Sequence, residues 1–196
     1  PAPARKGQFR FGAGAFYSTA NELRFESAKY NSSSGYVRYE TDTAAGIQAE
    51  LAMMEPAGWG FNGGLTIEGK RNLKSVSLSL GGATGSGSTS GGMVLNMSTL
   101  YGNAVYRWEK FFLPFGLNLS LPSVDSAPIA LQGIRGNLGI QFGIGYLFTE
   151  KIMALAEVRV LTVTAPSNAS TVIGSTIELG TGTLSGLNLG LKAHIF

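Results

Sequence analysis

The fold is decided by the stretch from Ile134 to Phe148, which reads IRGNLGIQFGIGYLF. Its even positions are apolar or aromatic apart from one glycine, and its odd positions are mostly Gly, Asn, Gln and Arg. Strict alternation is typical of a β-strand, because successive side chains of a strand point to opposite sides of the sheet. The stretch therefore predicts one strand with an apolar face and a face of small polar residues.

The same alternation recurs in seven other segments, which brings the predicted count to eight strands. These segments are Phe9–Tyr17, Ala45–Met53, Trp59–Ile67, Met93–Trp108, Phe111–Leu121, Ile152–Val160 and Leu187–Ile195. Within the segment that ends at Trp108 the pattern changes parity near Leu100, which predicts a β-bulge there. Short turns alternate with long loops, predicted near 18–43, 68–92, 122–133 and 164–183. We expect one domain over 1–196 with the long loops all at one end.

The composition argues against a soluble domain and against a helical membrane protein. Only 14% of residues are charged, whereas soluble domains carry about 25%. The longest unbroken apolar run is Ile152–Ala156, whereas a membrane-spanning helix needs about 20 residues. A soluble β-sandwich alternates as well, but its solvent face carries Lys, Glu, Arg and Thr, whereas the polar face here is mainly Gly, Asn, Ser and Gln.

Small polar residues on one face suit a narrow enclosed interior, and the apolar face would then contact lipid. In hydrocarbon every backbone group must be paired internally, so a sheet can cross a membrane only when it closes on itself. Strands of about 9–11 residues suffice to cross. The sequence therefore predicts an all-β fold, an eight-stranded antiparallel up-and-down transmembrane β-barrel.

Seven charged residues have the parity of the polar face, and we predict that they form a paired network in the barrel lumen. Unpaired charges there would be very costly. An eight-stranded lumen is only wide enough for side chains, which favours a plug over the alternative of an ion path. The seven are Arg10, Glu50, Glu68, Arg135, Glu157, Arg159 and Lys192.

Aromatic residues cluster beside the short turns and the chain ends, at what would be one level of the barrel. Tyr and Trp favour a membrane–water interface, because their rings have an apolar body and a polar tip. We predict an aromatic girdle, the alternative being ordinary core aromatics at strand ends. Its members are Phe9, Phe11, Trp59, Phe61, Tyr106, Trp108, Phe111, Tyr146, Phe148 and Phe196.

The residues give little support to catalysis, to a cofactor or to nucleic-acid binding. Cysteine is absent and His194 is the only histidine, which removes most zinc sites. His194 has no serine close to it in the sequence, and a nucleophile needs its base within hydrogen-bond reach. The Gly-rich stretch 81–92 lacks the ending of a phosphate-binding loop. The 15 basic residues are spread over the whole chain, unlike the patches of nucleic-acid binders.

The eight alternating segments and the aromatic C-terminal residue Phe196 together resemble the small outer-membrane barrels of the OmpA transmembrane-domain, OmpX and OmpW type. The resemblance covers essentially the whole chain. It implies an integral protein of the outer membrane of Gram-negative bacteria, with periplasmic termini and long loops that face outward. The implied role is non-enzymatic: envelope structure or surface contacts through the loops. The alternative is a narrow channel for small or hydrophobic solutes.

The resemblance also implies that the partners are outer-membrane lipids. Lys70, Arg71 and Lys74 precede the Gly-rich stretch, at the level where lipopolysaccharide phosphates would lie. Two interpretations stay open for these three residues: a lipopolysaccharide contact, or an ordinary solvated run. An oligomer is compatible with the pattern, and the residues specify no loop partner.

Overall fold

The computed structural model describes residues 9–31, 33–55, 57–89, 92–126, 131–166, 170–172 and 175–195. These residues form fourteen strands. They are β1 (Phe9–Ser18), β2 (Glu22–Tyr30), β3 (Ser33–Thr41), β4 (Ala44–Met53), β5 (Gly58–Glu68), β6 (Arg71–Leu80), β7 (Ala83–Ser88), β8 (Val94–Trp108), β9 (Phe111–Asp125), β10 (Arg135–Leu147), β11 (Ile152–Thr164), β12 (Ser170–Val172), β13 (Ser175–Ile177) and β14 (Thr181–His194). No helix in this described part of the chain is long and apolar enough to cross a membrane.

Eight of the strands close into an antiparallel barrel, which we call the lower barrel. Its order is β1-β4-β5-β8-β9-β10-β11-β14, and β14 pairs back to β1. Gly14 of β1 lies opposite Gln48 on one side and Lys192 on the other. The predicted class, an eight-stranded up-and-down antiparallel barrel, is confirmed at this level.

Two of the predicted long loops are wrong, because they are β-hairpins that extend the sheet. Region 18–43 forms β2 and β3, and region 68–92 forms β6 and β7. β2 pairs with the start of β14, β3 pairs with β2 and β6, and the start of β6 pairs with β8. With the matching ends of β8, β9, β10, β11 and β14 they make a second closed ring, which we call the outer ring. The sheet therefore has twelve strands, and β12–β13 form a separate hairpin.

The other two predicted loops are shorter than expected. β9 continues to Asp125, three residues beyond the predicted start of the loop at 122–133. β14 already begins at Thr181, and region 164–183 also contains the β12–β13 hairpin.

The interior has three layers. An apolar layer fills the outer ring, with fully buried Leu23, Phe25 and Val37 among its members. A polar layer lies in the middle of the lower barrel. A smaller apolar cluster closes the end near the short turns, and it consists of Met54, Val105, Phe112, Leu147, Met153 and Leu155.

β8 passes through all three layers and explains an error in the sequence analysis. Its odd-numbered residues face inward along the whole strand, and its pairing with β5 and β9 is continuous across Leu100. The predicted bulge near Leu100 is therefore wrong. The apparent change of parity arises because the inward residues change from apolar Leu95 and Met97 to polar Thr99 and Asn103.

Candidate functional site: the barrel interior and its two ends

Glu50 on β4 is the centre of the polar layer. Its side chain is 1% exposed, and Lys192 Nζ donates to its Oε2 atom over 2.6 Å. The hydroxyl of Tyr101 and the amide of Asn62 donate to the same oxygen over 2.9 and 3.3 Å. His194 Nε2 lies 3.1 Å from the other oxygen. Three strands thus supply partners for one buried carboxylate, which offsets the cost of removing it from water.

A second buried ion pair joins Glu157 and Arg159, which point to the same side of β11 because they are two residues apart. Arg159 Nε donates to Glu157 Oε2 over 2.5 Å, and both side chains are at most 3% exposed. The Arg159 guanidinium also lies 5.4 Å from the ring centres of Phe16 and Tyr101. These are cation–π distances, so the cation is held by a carboxylate and by two rings.

Three neutral amides connect the two ion pairs across the barrel. Asn103 Nδ2 donates to Asn62 Oδ1 over 2.8 Å, and Gln141 Nε2 donates to Asn103 Oδ1 over 2.9 Å. Gln141 Nε2 also lies within 3.2 Å of Glu157 Oε1. A continuous chain of hydrogen bonds therefore runs from Glu50 to Arg159. The predicted lumen network did not include these amides, because it was defined by the charged residues of the inward parity.

The structure brings together four of the seven predicted lumen charges: Glu50, Glu157, Arg159 and Lys192. Arg135 does not join them, because its side chain is exposed. A register shift between Asn137 and Ile140 displaces the alternation of β10, so Ile134 turns inward and Arg135 outward. The prediction that Arg135 faces the lumen is therefore wrong.

Arg10 lies at the rim near the short turns rather than in the middle layer. Its guanidinium is 3.4 Å from the carboxylate of Glu150, and Arg107 lies 3.1 Å from the other oxygen of Glu150. The Arg107 guanidinium holds the pKa of Glu150 below its usual value. These three side chains form a charged cluster at the short-turn end of the barrel, next to the smaller apolar cluster.

Glu68 lies at the opposite end of the lower barrel, where it pairs with Arg71. The two side chains are 1% and 0% exposed and lie 2.7 Å apart. Arg71 also donates to the carbonyls of Ala20 and Asp42. Since these groups lie where β1, β3 and β5 end, Arg71 joins the lower barrel to the outer ring. The interpretation of Arg71 as a lipopolysaccharide contact is wrong, because the residue is fully buried.

The two lysines that flank Arg71 are on the surface. Lys74 pairs with Asp42 over 2.7 Å, and it lowers the pKa of that carboxyl. Lys70 is exposed. No group of three or more His, Asp or Glu side chains within the described ranges is placed to hold a metal ion.

The predicted girdle residues lie on the outer face of the barrel, apart from Phe196, which lies outside the described residues. Neighbouring rings form edge or stacked contacts, with centroids 5.1 Å apart for Trp59–Tyr106 and for Phe111–Tyr146. The interpretation as core aromatics is wrong for these residues, because their side chains are exposed or half-exposed. They are Phe9, Phe11, Trp59, Phe61, Tyr106, Trp108, Phe111, Tyr146 and Phe148.

Two solved structures share this architecture over nearly the whole chain. The outer membrane protein OprG from Pseudomonas aeruginosa is 12% identical, with a TM-score of 0.54, and the match covers 96% of this chain and 97% of OprG. The chain has the fold of the small bacterial outer-membrane β-barrels. The outer membrane protein AlkL, solved in lipid bilayers, is 14% identical, with a TM-score of 0.52 and coverage of 100% and 94%. No protein-family model matches the sequence, and neither does any curated protein.

Proposed function

We propose that this chain is an integral protein of the bacterial outer membrane that does not conduct solutes and that presents the outer ring at the cell surface. The observation that carries the proposal is the filled interior. A hydrogen-bonded polar layer lies between two apolar layers, and each layer is built from side chains of several strands. An eight-stranded barrel leaves room for side chains only, so these three layers act as a plug.

The outer face of the lower barrel supports the membrane location. Large apolar side chains point away from the interior on every strand, and several are more than half exposed, among them Ile47, Leu117 and Leu138. Soluble monomers rarely expose contiguous apolar surface on this scale. In a bilayer the same surface contacts lipid, and the closed sheet leaves no unpaired edge in the hydrocarbon.

A non-enzymatic role agrees with the surroundings of His194. Its side chain is 1% exposed, and its Nε2 atom faces the Glu50 carboxylate. No serine hydroxyl among the described residues is hydrogen-bonded to His194. A buried imidazole held by a carboxylate in this way serves the packing of the polar layer.

Orientation and location are tested by labelling single cysteines in intact cells. The hairpin strands β2, β3, β6 and β7 together are called the outer extension. Thr84→Cys lies on β7 of this extension, and Lys110→Cys lies in the turn between β8 and β9. An impermeant maleimide should modify Thr84→Cys in intact cells and Lys110→Cys only after lysis. The chain has no other cysteine. Labelling of Lys110→Cys in intact cells, or recovery of folded monomer without detergent, would contradict the proposal.

A conduit for small apolar solutes is the second candidate, and the apolar interior of the outer ring favours it. Buried residues of β2, β3, β8 and β11, among them Leu23, Tyr39, Leu95 and Val163, line this ring. An apolar solute could enter such a layer at no cost in lost hydrogen bonds. Uptake of an apolar fluorescent dye by cells that make the protein, compared with cells that lack it, separates the candidates: faster uptake would put the conduit first.

A further inference from the structure

The lipid-facing surface of the lower barrel contains two recesses of similar volume, about 700 and 680 Å³. The second lies over β8, β9 and β10, and the first, which we call the recess, lies over β10, β11 and β14. Ala154 and Ala156 of β11 form its floor. Larger side chains of the two neighbouring strands flank them, with Ile144 and Tyr146 on β10 and Leu189 and Leu191 on β14. Phe111, Ala15 and Tyr17 also line the recess.

Strand register explains the shape of the recess. Tyr146 lies opposite Ala154, and Ala154 lies opposite Leu191. In the next row Ile144, Ala156 and Leu189 are aligned in the same way. Since β10 and β14 are two strand spacings apart, the flanking side chains stand about 9–10 Å apart at the backbone. Two methyl groups lie between these side chains, so they leave a cleft that suits one hydrocarbon chain.

Apolar surface gains nothing from the hydrophobic effect inside a bilayer, so tight contact there depends on van der Waals packing. A lipid chain in the recess touches a floor and two walls, whereas a chain against a flat barrel wall touches one surface. An empty recess would deprive its lining atoms of those contacts. The recess is therefore suited to hold a lipid chain more firmly than a flat part of the barrel surface.

A basic residue, Lys110, lies next to one end of the recess. Phe111 and Tyr146 form this end, and Lys110 directly precedes Phe111 in the turn between β8 and β9. The backbone N–H of Leu147 donates to the carbonyl of Lys110 over 2.7 Å, which fixes Lys110 beside the same strand. The Lys110 side chain is exposed. A lipid headgroup at this end would meet an ammonium group and an interfacial tyrosine, a pairing that suits a phosphate.

We propose that this recess binds one acyl chain of an anionic glycerophospholipid whose phosphate lies at Lys110. The lipid comes from the leaflet on the short-turn side, which is the periplasmic leaflet in the orientation proposed above, and the inference rests on that orientation. Phosphatidylglycerol has the required chemistry. Lipopolysaccharide belongs to the opposite leaflet and is not the occupant.

The test measures lipid retained by the purified full chain. The protein is incubated in detergent micelles with equal amounts of phosphatidylglycerol, phosphatidylethanolamine and rough-type lipopolysaccharide, and bound lipid is counted by native mass spectrometry. Ala156→Trp fills the recess. Val160→Trp adds the same ring on the outer face of the same strand, outside the recess lining. Ala154→Phe and Val160→Phe form a second pair, used if the Trp variant fails to assemble.

We expect the unmodified protein and the Val160 variants to retain one phosphatidylglycerol, and the recess variants to retain roughly tenfold less. Lys110→Gln should reduce the preference for phosphatidylglycerol over phosphatidylethanolamine, and Lys70→Gln, at the opposite end, should not. Equal retention by the recess variants and their controls would overturn the proposal. So would preferential retention of lipopolysaccharide, or a lipid-free dimer that Ala156→Trp abolishes. Solute conduction is measured separately, so an open pore would count against the plug and not against this site.

Discussion

At the scale of single residues, the polar layer depends on complete pairing of its charges. Glu50 and Glu157 are buried together with Lys192 and Arg159, so positive and negative charges balance within the layer. A buried charge that loses its partner keeps the full cost of its removal from water. Stability should therefore respond much more to the removal of one partner than to the removal of both.

Glu157→Gln is the direct test of this pairing, because it leaves the Arg159 guanidinium buried without its carboxylate. We expect a loss of about 3–5 kcal/mol in the free energy of unfolding, as for other broken buried pairs. The double variant Glu157→Gln/Arg159→Met should lose less than the sum of the two single variants. Urea unfolding in lipid vesicles, followed by tryptophan fluorescence, provides the measurement.

Glu26→Gln is the matched control for this cycle. Glu26 pairs with Arg24 on β2, but the two side chains are 64% and 40% exposed. Exposed pairs contribute about 0–1 kcal/mol, so this change should be close to neutral. If Glu157→Gln were as mild as Glu26→Gln, the polar layer would be a hydrated space and not a plug.

The shared parity of the four charged members of the polar layer predicted that they face inward, but it did not predict which of them form ion pairs. Glu157 and Arg159 are neighbours on one strand, whereas Glu50 and Lys192 meet across β1, which pairs with both β4 and β14. Gly12, opposite Glu50, and Gly14, opposite Lys192, have no side chains to separate them. The neutral links through Asn62, Asn103 and Gln141 depend on barrel closure, which periodicity alone does not specify.

At the scale of strands, alternation predicted the faces of the lower barrel well and failed where the surroundings change. β10 keeps its predicted faces from Ile140 onward and loses them before the register shift, which is why Arg135 was misplaced. β8 keeps one parity throughout, but its inward face changes chemistry between Met97 and Thr99. Alternation reports which residues share a face, and it does not report whether that face points inward or outward.

The outer hairpins were missed for a related reason. β2 and β3 carry inward Leu23, Phe25, Val37 and Tyr39, but their outward positions hold charged and polar residues. In the lower barrel the apolar face points outward and the polar face inward, whereas here the arrangement is reversed. Segments with many charges and few long apolar runs were therefore interpreted as loops.

A charged side chain at an outward position of the lower barrel should lower the stability of the folded protein. Leu117→Arg and Ile140→Arg place a guanidinium on opposed positions of β9 and β10 that are 56% and 55% exposed to the surroundings. Near the middle of a bilayer such a change costs about 2–4 kcal/mol. Folding titrations in vesicles would measure it.

Thr84→Arg on exposed β7 is the control for these arginine variants. It lies in the outer extension, where water solvates the guanidinium, and surface changes of this kind are usually within about 0.5 kcal/mol. Tolerance of Leu117→Arg combined with intolerance of Thr84→Arg would mean that the outer extension, and not the lower barrel, is in the membrane.

Arg71 should stabilise the junction between the lower barrel and the outer ring. Arg71→Met leaves Glu68 buried and unpaired and removes the donor to the carbonyls of Ala20 and Asp42. We expect the outer ring to loosen, with faster proteolysis within residues 22–41, while the lower barrel keeps its mobility shift between unheated and boiled samples. Lys74→Met removes an exposed pair nearby and should leave proteolysis unchanged. Equal proteolysis of the two variants would contradict the role of Arg71.

At the scale of the whole molecule, the fold combines a barrel with an apolar outer surface and a ring with a more polar outer surface, joined in one sheet. The interior is the reverse: polar in the middle of the lower barrel and apolar in the outer ring. The outer ring and the middle of the lower barrel therefore each have opposite chemistry inside and outside. This arrangement explains how a chain with few charges can bury several of them as ion pairs while the outer face of the lower barrel stays apolar.

The most direct test of this account is single-channel recording of the unmodified protein in planar bilayers. The three interior layers predict no ion-conducting steps, because each layer is filled by side chains from several strands. The outer-membrane orientation and the integrity of the protein can be verified beforehand by the mobility shift and by cysteine labelling. A steady open pore in the unmodified barrel would contradict the account and would replace the plug with a channel.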